Sequence, residues 1–352
     1  MPQEQVDPAA LLAQDAEERR VSRTLRIQLD QSLKREADLR TILDLTSQIT
    51  NARPVPPKWI TAPPSGRKHS ATVCLLITDT HFDEIVRPQE VDNINKYDRS
   101  IAEARLKRAF EKTIHLTRDY LSGVTYDGCV LFLGGDIFSG NIHEELKQTN
   151  TSTLFDAVVH WIEHMEAGIR MLADHFKNVR VVGVVGNHGR MTRKPIAKRR
   201  AQDNVDWLLY KFLARDFAAD RRVSFNIPEG ADAFESVHKT RFLLTHGDQF
   251  RGGSGIAGAM SPLLLGTHRK TRRQNASGNP YDIMLMGHFH NTIMLPSKGL
   301  MVGGTLKGMD EYAYQGNFEP EPASQLMWLV TPEYGLGFSL PITVQDRASE
   351  KW

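Results

Sequence analysis

Five short motifs in a fixed order constrain this chain more than any other feature: Asp79-Thr80-His81, Gly135-Asp136, Gly186-Asn187-His188, His246-Gly247 and Gly287-His288-Phe289-His290. Each follows an apolar run, mostly rich in β-branched residues or Leu, which is the pattern of a buried strand. Together they offer carboxylate, amide carbonyl and imidazole. That donor mixture suits Mn²⁺, Fe or Zn²⁺ in sites that carry out hydrolysis. Glycines precede three of the ligand types, at Gly135, Gly186 and Gly287, where tight strand-to-loop turns and close backbone approach are wanted.

The surrounding pattern is an alternation of strand and helix. Thr72–Thr78, Cys129–Leu133 and Val179–Val185 read as strands, and Ser100–Leu121 and Ser152–Phe176 as amphipathic helices. A βαβαβ order implies parallel strands with right-handed crossovers, and ligands gather beyond the carboxyl ends of such strands. Motifs one to three lie there. After a helix over Asp203–Phe217 the texture turns to β, with strands expected over Arg241–Thr245, Ile283–Met286, Gly299–Val302, Gln325–Val330 and Gly337–Leu340. His288 and His290, one residue apart in an extended segment, point the same way and can reach one centre.

The ordered set D-x-H, G-D, G-N-H, H and G-H-x-H resembles the calcineurin-like metallophosphoesterase superfamily over roughly Thr72 to Thr343. Within it, the phrases Ile77-Thr78-Asp79-Thr80-His81-Phe82 and Gly186-Asn187-His188-Gly189-Arg190 look like the nuclease branch. That branch holds the double-strand-break-repair nucleases and their SbcD-type relatives, and the short phosphoesterases of tailed bacteriophages are the narrower likeness. The resemblance implies an α/β fold, a four-layer α/β/β/α sandwich. It also implies two divalent metal ions about 3.5–4 Å apart, Mn²⁺ first, with Fe, Zn²⁺ or Ni²⁺ as alternatives. Carried over residue by residue, Asp79, His81 and His290 hold one ion, Asp136 bridges both, and Asn187, His246 and His288 complete the second. His188 is then catalytic rather than a ligand, placed against the scissile phosphate. Here the chain departs from the common family form, in which an acidic residue follows that histidine and orients it. Gly189 stands in its place, and the nearest carboxylates, Asp83 and Asp248, have no assigned role.

A chain of 352 residues with net charge +2 can hold one large domain and an appendage, and its global charge excludes no partner. The organisation expected is an N-terminal helical arm over 1–52, a Pro-rich linker over 53–70, the metallophosphoesterase domain over 71–345 and a tail over 346–352. The arm reads as helix from Pro8 to Ile49, with Val21, Leu25, Leu29 and Leu33 on one face. It either packs on its own domain or docks a partner, a second copy included. Cys74 and Cys129 lie in strands and read as buried thiols, with no disulfide framework. No signal-peptide segment or membrane-length apolar run is visible, so a cytoplasmic protein is expected, in the host cytoplasm if phage-encoded.

Local charge is more telling. Arg190, Arg193, Lys194, Lys198, Arg199 and Arg200 follow motif three with no acid between them, and Arg269, Lys270, Arg272 and Arg273 precede motif five. A charge run is usually a solvated face. Two runs in loops expected at one catalytic edge favour a polyanion, DNA above all, with Arg190, Arg193, Lys194, Arg199, Arg200, Arg269 and Arg272 as phosphate contacts. No base-reading motif is present, so contacts to the backbone are expected. The reading is a metal-dependent DNA nuclease or phosphodiesterase. Its alternatives are a phosphomonoesterase and a non-catalytic scaffold acting through the arm. Asp136 is followed by Ile137-Phe138-Ser139-Gly140 rather than the Arg-Gly usual in the protein phosphatase branch. The H-x-x-E-H string His160–His164 matches a zinc-protease signature, but lies in a helix whose core face is Leu154, Val158, Trp161, Met165, Ile169 and Leu172, with the histidines beside that stripe. Gly252–Gly255 lacks the frame of a phosphate-binding loop. His143 and Glu144 read equally as site-lining or surface residues.

Overall fold

The computed structural model describes residues 70–250 and 260–352 continuously, with 19–23, 25–30, 32–33, 36, 40 and 56–58. Contacts divide the chain into Met1–Val55 and Pro56–Trp352. In the first unit the described residues from 19 to 40 are helical. The rest of the expected Pro8–Ile49 helix, the linker apart from 56–58 and Ser70, and Gly252–Gly255 lie outside the described residues. Among the described residues no helix is long and apolar enough to cross a membrane.

In the second unit the strands in chain order are β1 (Ser70–Ile77), β2 (Thr125–Leu133), β3 (Val179–Gly183), β4 (Val223–Asn226), β5 (Asp232–Val237), β6 (Thr240–Thr245), β7 (Ile283–Met286), β8 (Ile293–Leu295), β9 (Leu300–Val302), β10 (Ser324–Thr331) and β11 (Gly335–Thr343). They form a six-stranded sheet, β11-β10-β1-β2-β3-β4, and a five-stranded sheet, β5-β6-β7-β9-β8. β1 to β4 run parallel in sequence, and so do β6, β7 and β9. The main helices are α1 (Arg99–His115), α2 (Leu154–Phe176), α3 (Val205–Asp216) and α4 (Met260–Ala276).

Side-chain alternation builds the layers. In β1, Val73, Leu75 and Ile77 pack with the buried faces of α1, α2 and α3, whereas Cys74 and Leu76 face the other sheet. β2 repeats this with Leu131 and Leu133 against Val130 and Phe132. On the second sheet, Phe242, Leu244, Ile283, Leu285 and Met301 meet the first sheet, while Leu243, Met284, Met286, Leu300 and Val302 pack with Leu263 of α4. The period of two thus gives helices, sheet, sheet and helix, the four layers expected. Both cysteines are free and buried, and burial raises both thiol pKa values.

α1 is capped by Asp98, whose carboxylate accepts from Ile101 N at 3.0 Å, and α2 by Thr153. α2 buries Val158, Trp161, Met165, Ile169 and Leu172 of the stripe read from sequence, whose first member, Leu154, is half-buried. Three strands escaped that reading: β4, β5 and β8. So did α4, and the run Arg269–Arg273 is helical rather than a loop. The segment read as a tail forms the short helix Arg347–Glu350, and the side chain of Glu350 is covered and pairs with Arg105 at 2.9 Å.

Candidate metal centre

All five motifs stand just past the carboxyl ends of β1, β2, β3, β6 and β7, where parallel strands leave their last backbone groups free. Backbone hydrogen bonds lace the loops together. Asp79 N donates to Gly135 O at 3.0 Å, His81 N to Asp136 O at 3.1 Å, and Gly287 N to His246 O at 3.0 Å. A Cβ on Gly186 would lie 2.0 Å from Asp136 Oδ1, and one on Gly287 2.1 Å from Asp79 Oδ2, so both glycines are required for the carboxylates to fit. Asp79, His81, Asp136, His288 and His290 hold left-handed backbone, with φ between +47° and +69°. Such strain costs of order 1–3 kcal/mol per residue and persists where surrounding structure enforces it, as at functional sites.

The donors fall into two groups that meet at Asp136. In the first, Asp79, His81 and His290 stand together. His81 Nε2 and His290 Nε2 are 3.1 Å apart, and His290 Nε2 is 3.4 Å from Asp79 Oδ1. In the second, Asp136, His246 and His288 converge. His246 Nε2 lies 3.0 Å from Asp136 Oδ2 and 3.2 Å from the Asn187 amide oxygen. Asp136 also groups with His81 and His188, which makes it the carboxylate common to both sides. Ligands bonded at about 2.1 Å to one ion are separated by roughly 3.0–3.4 Å, and these distances match.

Proton bookkeeping points the same way. His246 Nδ1 donates to Gly134 O at 2.9 Å, so its Nε2 is the free nitrogen, yet that nitrogen faces two oxygen acceptors. Burial lowers the His246 pKa, but the Asp136 charge and hydrogen bond outweigh it and push it up to about 10. Burial likewise opposes ionisation of Asp79, and His290 and His246 outweigh it, bringing it to about 2. Asp136 is held low by His246 and His188 against its own burial. By contrast, burial and Lys307 lower His81 to about 4, and burial and His246 lower His288 to about 4, leaving neutral imidazoles with lone pairs. Two ionised carboxylates, neutral imidazoles and a place that demands positive charge are what divalent cations bind. The residues present fit the group.

His188 differs from these. Its backbone N donates to Asp136 Oδ1 at 2.6 Å, and its Nδ1 donates to the carbonyl of Ser139 at 2.8 Å. Ser139 O is therefore the group that orients it, a backbone atom that no side-chain motif announces. Nε2 is left for a substrate. A Cβ on Gly189 would sit 2.3 Å from Asn204 Oδ1 and 2.9 Å from Asp206 Oδ1. The space an acidic residue at 189 would need is thus taken. Asp206, buried on α3, accepts from Gly186 N at 3.0 Å, and burial with the Asp136 charge raises its pKa to about 7. Asp83 and Asp248 serve elsewhere: Asp83 accepts from Arg99, Trp161 and Ser152, and Asp248 pairs with Arg200.

Sequence reading missed a buried relay behind His81. Glu84 Oε2 lies 3.3 Å from His81 Nδ1, and Glu84 Oε1 accepts from Lys307 Nζ at 2.8 Å. Lys307 also pairs with Asp310. Ser139 Oγ donates to Glu84 Oε2 at 3.4 Å, so the residue that orients His188 also touches this relay. Burial raises Glu84, but Lys307 overrides it and holds the carboxylate ionised. A carboxylate behind a metal-binding imidazole fixes its ring and raises its basicity.

The structure separates the seven proposed phosphate contacts. Arg193, Lys194 and Arg199 are exposed beside motif three. Arg190 is turned inward, its guanidinium donating to the carbonyls of Asn187 at 2.8 Å and Thr192 at 3.1 Å. Arg200 is locked in a two-pronged pair with Asp248 at 2.7 and 2.8 Å. Arg269 and Arg272 are exposed on α4. Their neighbours Lys270 and Arg273 bind Asp232 at 2.5 and 2.6 Å. His143 stands beside the centre, its ring 5.8 Å from that of His188.

No protein-family model matches the chain, and no curated protein matches it. Among solved structures it is similar to vacuolar protein sorting 29 from Cryptosporidium parvum, at 15% identity over 77% of this chain and 95% of that one, with a TM-score of 0.32. A dimetal phosphatase from Danio rerio is similar at 12% identity over 78% and 99%, with a TM-score of 0.36. The sulfate thiohydrolase SoxB from Thermus thermophilus is similar at 9% identity over 79% and 57%, with a TM-score of 0.32. At such identities and scores the functional reading rests on the site's own geometry.

Proposed function

We propose that this chain is a metal-dependent phosphodiesterase of the calcineurin-like type, a nuclease acting on DNA, with two divalent ions, Mn²⁺ foremost. The observation that carries the reading is the pair of donor clusters meeting at Asp136, with His188 held beside them by Asp136 Oδ1 and Ser139 O. Asp79, His81 and His290 would hold one ion, and Asn187, His246 and His288 the other. Metal ions bound there would supply Lewis acidity and an activated water. The chain's own residues supply the rest. Thr78 Oγ1 and His288 N donate to the Asp79 carboxylate at 2.7 and 2.9 Å and keep it ionised and aimed. With its Nδ1–H committed to Ser139 O, His188 turns Nε2 toward the departing oxygen, and its imidazolium form would donate a proton there. The exposed Arg193, Lys194 and Arg199 support a polyanionic substrate held by its backbone.

The test is hydrolysis by metal-stripped protein resupplied with Mn²⁺. Substrates are bis-p-nitrophenyl phosphate, p-nitrophenyl phosphate, and single- and double-stranded DNA, with His188→Ala as control. Cleavage of the diester and of DNA, lost in the variant while metal is retained, is the expected result. Turnover of the monoester alone would replace the reading with a phosphomonoesterase.

A further inference from the structure

Away from the centre, the outer faces of α1 and α2 bring another set of ligand atoms together: Glu103, His160 and His164. The two histidines are one helical turn apart on α2, where side chains at i and i+4 are neighbours. Their rings are 4.5 Å apart. His164 Nδ1 donates to the His160 carbonyl at 3.0 Å, which fixes the tautomer and leaves Nε2 with its lone pair. Glu103 Oε1, reaching across from α1, is 2.9 Å from His160 Nε2 and 3.8 Å from His164 Nε2. Two ligands of a tetrahedral ion with bonds of about 2.0–2.1 Å lie roughly 3.3 Å apart, and the two distances bracket that value. Each side chain is about a third exposed, so an ion held by three protein atoms would keep an open position toward solvent.

We propose that Glu103, His160 and His164 form a surface site for a transition-metal dication of the zinc class, separate from the dinuclear centre. The string His160-Trp161-Ile162-Glu163-His164 supplies both imidazoles but not the carboxylate. Glu163 is exposed and outside the cluster, and the acid comes from the neighbouring helix. Two imidazoles and one carboxylate suit Zn²⁺, Cu²⁺ or Ni²⁺. It clamps α1 to α2. Trp161, between the two histidines, stacks on Phe82 with centroids 3.6 Å apart and donates to Asp83 Oδ1 at 2.9 Å. The clamp is therefore one side chain away from Phe82 and Asp83, the two residues that follow motif one.

The experiment is a metal count on the full chain. Parent, Glu103→Gln, His160→Ala and His164→Ala proteins are equilibrated with micromolar Zn²⁺, desalted and assayed by elemental mass spectrometry. Each variant is expected to hold one zinc fewer than the parent. An Asp136→Asn, His246→Ala protein is expected to keep one zinc that His164→Ala then removes. Equal zinc in the parent and all three surface variants would overturn the proposal. That comparison decides the matter even if the variant altered at the dinuclear centre fails to fold.

Discussion

Lys307→Met isolates what the buried relay contributes. Lys307 is 2% exposed and sits between Glu84, at 2.8 Å, and Asp310. At that distance and an effective dielectric of about 20, the attraction to Glu84 alone is roughly 6 kcal/mol. The substitution recovers the cost of burying the ammonium but strands two buried carboxylates, and breaking a buried pair in this way typically costs about 3–5 kcal/mol. For a domain of this size that loss lowers Tm by roughly 5–8 °C. The assay is thermal and urea unfolding of parent and variant, each metal-free. Adding Glu84→Gln and Asp310→Asn to Lys307→Met removes the stranded charges, and at least half of the lost stability should return. A Lys307→Met protein within about 1 kcal/mol of the parent would refute the reasoning, as would a triple variant weaker than the single one. Glu84→Gln alone should leave the fold standing but weaken metal affinity by roughly 10–100-fold, because His81 loses the carboxylate that orients it.

Three further outcomes follow from the structure. The Glu350 carboxylate is brought to about 2, its burial outweighed by Arg105. A depressed acid stabilises the fold above its unfolded pKa and loses that contribution as pH falls, so stability should drop between about pH 4.5 and 2. Glu350→Gln should flatten that acid limb and cost roughly 1–2 kcal/mol at pH 7 after screening, and an unchanged acid limb in urea melts would refute this. Gly189→Asp, which restores the acid of the common family form, should destabilise by roughly 1–3 kcal/mol because its Cβ meets Asn204 at 2.3 Å; a raised Tm would contradict it. Reversing Arg193, Lys194 and Arg199 to Glu should weaken DNA binding and reduce its salt slope by roughly 2–3, and an unaltered slope would remove these residues from the substrate path.

The first sheet was legible because β1, β2 and β3 are continuous apolar runs ending on motifs, and α1 and α2 carry clear amphipathic stripes. α4 was not legible. Its inward face includes Gly266, Thr267, Lys270 and Gln274, so burial there is polar and leaves no hydrophobic period, and its cations read as a loop. β4 and β8 are four and three residues long, too short for alternation to register. The ligand types could be read because each motif is local. What supports them could not. Glu84 and Lys307 are 223 residues apart, and the group that orients His188 is a main-chain carbonyl. The failure to place Arg190 and Arg200 has the same origin: a basic run shows charge but not the partners that consume it.

Asp136 is proposed to join two metal positions into one hydrolytic centre. The direct measurement is Mn²⁺ binding to metal-stripped protein by equilibrium dialysis, with diester hydrolysis followed on the same samples, for the parent and for Asp136→Asn. The expected result is two Mn²⁺ per parent chain, activity that appears as they bind, and a variant that loses both tight binding and turnover. Diester hydrolysis undiminished in the stripped protein under chelator, or an Asp136→Asn protein that still binds two ions and cleaves at the parental rate, would contradict it.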